Sequence, residues 1–149
     1  RDKLVTGVQT CALPIYRVSG QQRVLSGHSL SGEFVLYAMY LEDPAHRFFS
    51  SIISGDCSCW YDASKNFSQD LPTALSLEQA MVAANPRLPL KLVMAGDATA
   101  NERHVQPVYA RLMARNIPDL KMLHLAYNLG HVGMDGPSFN DALDFVWPK

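Results

Sequence analysis

The sequence predicts an α/β fold, a mostly parallel sheet of about four strands with helices on both faces. Short apolar runs alternate with segments of helical apolar spacing, four times over. The runs lack the polar alternate positions of a strand with one wet face, so both faces must be covered, as crossover helices cover a parallel sheet. No internal repeat, low-complexity tract or linker interrupts the pattern, and 149 residues that are 48% apolar supply one real core.

The first unit is an apolar run at 23–26, a tight turn, and an amphipathic segment at 33–41. Residues 48–54 (FFSSIIS) are β-prone and bounded by Gly55 and Asp56, which predicts a buried strand. A loop at 56–65 carries Trp60 and Tyr61. Residues 71–84 have helical spacing, with Asp70 and Pro72 suited to a start and Asn85-Pro86 to a stop. The third strand is predicted at 90–95 (LKLVMA), ended by Gly96-Asp97. A helix at 103–115 puts Val105, Val108, Tyr109, Leu112 and Met113 on one face. Residues 120–126 (LKMLHLA) predict the fourth strand, followed by a glycine-marked loop at 127–136. The last helix, at about 137–147, turns Phe139, Ala142, Leu143 and Val146 inward.

The turn between the first strand and helix reads Gly27-His28-Ser29-Leu30-Ser31-Gly32. It matches most of GxSxG, a nucleophile elbow, where crowding demands small residues two positions either side of the serine. Gly27 fills the first position; Ser31 stands in the second, where the pattern wants glycine, and adds strain. A serine hydroxyl is a poor nucleophile until a base takes its proton, and such a turn lifts Ser29 clear of the sheet towards a histidine. The helix adds its N-terminal dipole, and the Leu30 amide points where an oxyanion would form. The plain alternative is a serine in an ordinary strand-to-helix loop.

Several classes are excluded or unsupported. Thirteen Lys and Arg against 14 acids, scattered along the chain, form no basic stripe for nucleic acid. No apolar run approaches the length of a membrane span, and no cofactor or metal set is evident. Cys57 and Cys59 lie one residue apart without the second pair of a zinc site; a bridge over so short a loop would be strained, so both are expected as free, partly buried thiols. Residues 1–15 (RDKLVTGVQTCALPI) break the pattern of a signal peptide with Thr6, Gly7, Gln9 and Thr10. They resemble translated sequencing-adapter text and are read as foreign, with native sequence beginning near Tyr16 and compartment left open.

Ligands meet the carboxyl ends of strands in such a sheet. Three loops there supply Ser29 after the first strand, Asp97 or Glu102 after the third, and His131 after the fourth, the Ser-acid-His order of α/β-hydrolases. Tyr16-Arg17, the elbow, Ser58 with Trp60-Tyr61-Asp62, and Gly130-His131 before a terminal helix together resemble the esterase D and enterochelin esterase-like family of α/β-hydrolases. The resemblance covers residues 16–149 and implies the C-terminal part of that fold.

It implies a serine esterase or thioesterase acting through an acyl-enzyme on a small-molecule ester, with Ser29 as nucleophile, His131 as general base and no cofactor. The acid stays open between Asp97, at the strand end, and Glu102, which reads equally as a first-turn glutamate favoured by the helix dipole; a Ser-His dyad is a third option. His28 is expected to pack within the elbow at the pocket, and Trp60 and Tyr61 to line the pocket wall or an aromatic core under the loop. His124 reads as core, His46 and His104 as surface. Acyl transfer on the same fold, or a binding module with a decayed site, are the alternatives. The resemblance also implies about four strands before the elbow, with a second oxyanion amide among them. Without these the expected activity of the chain alone is weak, and the strand at 23–26 is left as an apolar edge.

Overall fold

The computed structural model describes residues 22–43, 46–61, 72–84 and 87–148. Within them eight elements alternate: β1 (Val24–His28), α1 (Leu30–Leu41), β2 (Ser51–Gly55), α2 (Ala74–Ala84), β3 (Lys91–Asp97), α3 (Glu102–Ala114), β4 (Lys121–Tyr127) and α4 (Asp135–Val146). The strands form one sheet in the order β1-β2-β3-β4, and all three pairings are parallel. Parallel neighbours need a crossover between them, and α1, α2 and α3 supply the three; α4 follows the last strand. The adapter-like segment 1–15, Tyr16-Arg17, Asp62, Asp70 and the stop at Asn85-Pro86 lie outside the described residues.

Strand alternation divides the core in two. On one face Ile52, Leu92 and Met94 meet Val35, Leu36 and Met39 of α1, Met81 of α2, and Val105 and Leu112 of α3. On the other, Ile53 and Val93 meet Ala142 and Val146 of α4. Helices therefore cover both faces, three to one. All five residues of β2 are buried, because it is flanked by strands and covered above and below. β1 and β4 are the part-exposed edges.

Boundaries differ from expectation for local reasons. β2 begins at Ser51 and not at 48, because the amides of Phe48 and Phe49 donate to the Glu42 carboxylate at 2.5 and 2.9 Å and leave the ladder. α1 starts at Leu30, directly after the turn. Met113 and Phe139, expected inward, are exposed; Met113 stands one residue, some 100° of helix, beyond the buried Leu112. No helix among the described residues is long and apolar enough to cross a membrane.

Because every strand runs the same way, four carboxyl ends meet at one rim. Ser29 follows β1, Asp56 follows β2, Asp97 ends β3, and the loop from Asn128 to Met134 follows β4.

Candidate active site

The elbow is held by close backbone approach. A Cβ on Gly27 would lie 2.2 Å from the Ser31 carbonyl oxygen, so no larger residue fits there. Ser29 takes φ 59° and ψ −123°, a region that L-residues occupy only when their surroundings over-determine them. Its amide donates to Gly55 O at 2.9 Å, and its carbonyl accepts the amides of Glu33 at 3.3 Å and Ser58 at 3.0 Å. Ser31, the departure from the motif, closes the turn: its hydroxyl donates to His28 O at 2.7 Å and accepts the His28 amide at 3.0 Å. Leu30 opens α1, so its amide is one of the first-turn donors without an intrahelical acceptor.

The loop after β4 brings His131 over the sheet to this turn. Its Nε2 lies 2.9 Å from Ser29 Oγ across 102 positions of sequence. Its Nδ1 hydrogen-bonds the Asp56 carboxylate. An acceptor-only carboxylate on Nδ1 selects the tautomer that carries a proton there, which leaves the Nε2 lone pair facing the serine hydroxyl. Asp56 is fully buried and its other contacts are satisfied. Oδ1 accepts the amides of Asp97 at 2.8 Å and Asn101 at 3.2 Å, its carbonyl accepts Asn101 Nδ2 at 2.9 Å, and its own amide donates to Ala95 O at 2.7 Å.

Neither sequence candidate for the acid touches His131; that place belongs to Asp56. Asp97 is also fully buried, but four donors already occupy its two oxygens. Oδ1 accepts the Thr99 amide at 2.9 Å and hydroxyl at 2.5 Å, and Oδ2 accepts the amides of Leu129 at 2.7 Å and Gly130 at 2.9 Å. The Thr99 hydroxyl first, then the amides of Leu129, Thr99 and Gly130, hold the Asp97 carboxyl below the ordinary carboxylate range against the opposing effect of desolvation. Glu102 starts α3 and contacts His124 Nε2 at 3.2 Å, while the His124 ring stacks on Tyr109. Asp56 as the partner of His131 was missed because it read only as a residue bounding a strand; Gly-Asp closes β3 and straddles the end of β2, and that repeat was the available signal.

His28 packs beside the centre, its ring 4.7 Å from that of His131 and its Nδ1 3.6 Å from the Asp135 carboxylate. Trp60 and Tyr61 meet edge to face and line a cavity of about 250 Å³ with Tyr37, Tyr40 and Arg111; Ser29, Asp56 and His131 do not line it. Cys57 and Cys59 are disulfide-bonded, not free: their Cα atoms lie 5.1 Å apart, within bridging range.

No family model matches the sequence, and no curated protein sequence matches it. Among solved structures, the siderophore hydrolase EstA from Aspergillus nidulans matches with a TM-score of 0.68 at 16% identity, over 95% of this chain and 53% of that one. The chain thus spans about half the length of that neighbour and shares its α/β fold.

Proposed function

We propose that this chain carries the catalytic centre of a serine esterase, of carboxylesterase or thioesterase type. One observation carries the reading: Ser29 Oγ at 2.9 Å from His131 Nε2, with Asp56 on Nδ1 of the same ring. The esterase-like fold of the neighbour supports it.

In the first half-reaction Ser29 Oγ attacks the acyl carbon while its proton passes to His131 Nε2. The carbonyl oxygen becomes an oxyanion beside the Leu30 amide, at the positive end of α1. Nε2 then returns the proton to the departing alkoxide or thiolate, leaving the acyl group on Ser29. Water repeats the sequence and releases the acid. Asp56 holds the imidazole in its working tautomer and stabilises the imidazolium. Leu30 supplies one oxyanion donor, and with one donor alone turnover is lower by about 100-fold or more.

A fluorophosphonate probe tests the assignment. The full gene product is expected to take one label at Ser29, and Ser29→Ala to take none. Label that persists in Ser29→Ala, or fails to form in the unaltered protein, refutes it. Product analysis then reads the acceptor: a free acid means water, a new ester means an alcohol.

A further inference from the structure

Asp97 sits one strand from the acid that meets His131, buried, with no contact to the imidazole, yet four donors converge on it. Two of them are the amides of Leu129 and Gly130, the residues immediately before His131. Gly130 is in the left-handed region at φ 78°, a conformation glycine adopts readily, at the point where the carboxylate accepts its amide. The remaining two come from Thr99, which orients the other oxygen from the start of the β3-α3 loop.

On the reading of Ser29, His131 and Asp56 as a catalytic triad, we propose that Asp97 is a positioning residue: it clamps the His131 loop to the end of β3 and so sets the distance from Nε2 to Ser29 Oγ. The loop crosses the sheet from β4 at one edge to the elbow beyond β1 at the other. Among the described residues, the loop's reach is set by turns within it, such as the Met134 amide on Gly130 O at 3.1 Å, and by the Asp97 clamp at its start. The clamp needs a carboxylate. Both oxygens accept two donors each, and an amide would turn an NH2 towards one pair of N–H or O–H groups.

The clamp is also tied to the acid. Asp56 Oδ1 accepts the Asp97 amide, so Asp56 and Asp97 share one backbone frame at the ends of β2 and β3. The ring is thereby placed by two carboxylates with separate tasks: one holds its Nδ1, the other holds the chain that carries it.

Asp97→Asn is the test, in the full gene product, with circular dichroism to establish folding. The expected result is a fall in kcat for p-nitrophenyl acetate of about 100-fold with KM little changed, as for a misplacement near 1 Å. The amides of Leu129 and Gly130 are expected to exchange with solvent about 10-fold faster or more, by local opening of the loop. Unchanged exchange at both amides, or a loss confined to KM, overturns the proposal. Thr99→Val removes one donor from the same carboxylate and is milder. It is expected to move both readouts the same way by a smaller factor, and if Asp97→Asn does not fold, Thr99→Val with wild-type exchange and kcat overturns it. Absence of Ser29-dependent turnover in the unaltered protein defeats the triad reading instead; amide exchange then decides the clamp alone.

Discussion

The Asp97 amide donates to Asp56 Oδ1 at 2.8 Å, so the two acids that close neighbouring strands are joined through backbone while their carboxylates face different groups. Asp56 meets the imidazole of His131; Asp97 meets the amides behind it.

That division ranks three substitutions. Asp56→Asn is expected to lower kcat by about 10,000-fold, because an amide at Nδ1 favours the wrong tautomer of His131. Asp97→Asn should cost less, since the ring keeps its acid and loses only placement. Glu102→Gln should leave turnover unchanged, because Glu102 contacts His124 and not His131. Steady-state kinetics on the three folded variants gives the order directly. A larger loss from Glu102→Gln than from Asp56→Asn would return the acid to α3 and end the present assignment.

The Asp97 carboxyl also makes stability depend on pH in a definite direction. The Thr99 hydroxyl and the three amides favour its ionised form, so its folded-state value lies below that of the unfolded chain. The unfolded chain then binds the proton more readily. The contribution of Asp97 is therefore complete above the unfolded value, about pH 4, and drains away as pH falls through the lower folded-state value. Urea midpoints measured over a series of acidic pH values are expected to fall more steeply for the wild type than for Asp97→Asn, which has no such proton to bind. Equal slopes would mean that the carboxylate is not held by these donors in solution.

Much of this was legible in the sequence, and what was not has a physical cause. The apolar runs ending in Gly27, Gly55 and Gly96 gave the strands their order, because a strand covered on both faces leaves an unbroken apolar record. That Ser29 and His131 would meet was legible because the elbow is a local motif and the histidine follows a well-marked strand. The carboxylate on the other side of the ring was not. Gly55-Asp56 and Gly96-Asp97 are the same dipeptide near the carboxyl ends of adjacent strands, but Gly55 pairs with Ala95, so the two are one residue out of register, and only the pairing of the strands and the path of the loop after β4 decide which carboxylate lies under the ring. The disulfide escaped because the distance between Cys57 and Cys59 depends on the backbone conformation at Ser58 between them, which spacing alone does not specify.

Two glycines at the rim are required for different reasons, and alanine should separate them. At Gly27 an added Cβ meets the Ser31 carbonyl at 2.2 Å, and that atom is helix backbone with nowhere to go. Gly27→Ala is expected to cost on the order of 3 kcal/mol or more and to abolish labelling of Ser29. At Gly130 nothing lies within 4 Å of an added Cβ, so the penalty is conformational only, from φ 78°. Gly130→Ala should fold, with a loss of about 1–2 kcal/mol. Thermal melts and probe labelling read both, and a benign Gly27→Ala would mean that the elbow is looser than drawn.

α1 carries a second apolar surface that nothing among the described residues covers. Val35, Leu36, Met39 and Tyr40 are buried against the sheet, yet Leu30, Phe34 and Leu41 are 57%, 65% and 65% exposed. Positions 30, 34 and 41 fall on one stripe of the helix, and a helix apolar on opposite sides normally has material packed against both. Beside it, β1 pairs with β2 along one edge and has no strand along its other edge among the described residues. An apolar stripe next to an open strand edge is the geometry that drives association between chains. The chain produced alone is therefore expected to self-associate with rising concentration, and Phe34→Ser combined with Leu41→Ser to shift it towards monomer without touching Ser29, Asp56 or His131. Sedimentation equilibrium over a range of concentrations measures this. An unaltered chain that stays monomeric throughout would show that the exposed stripe of α1 is tolerated by water as it stands.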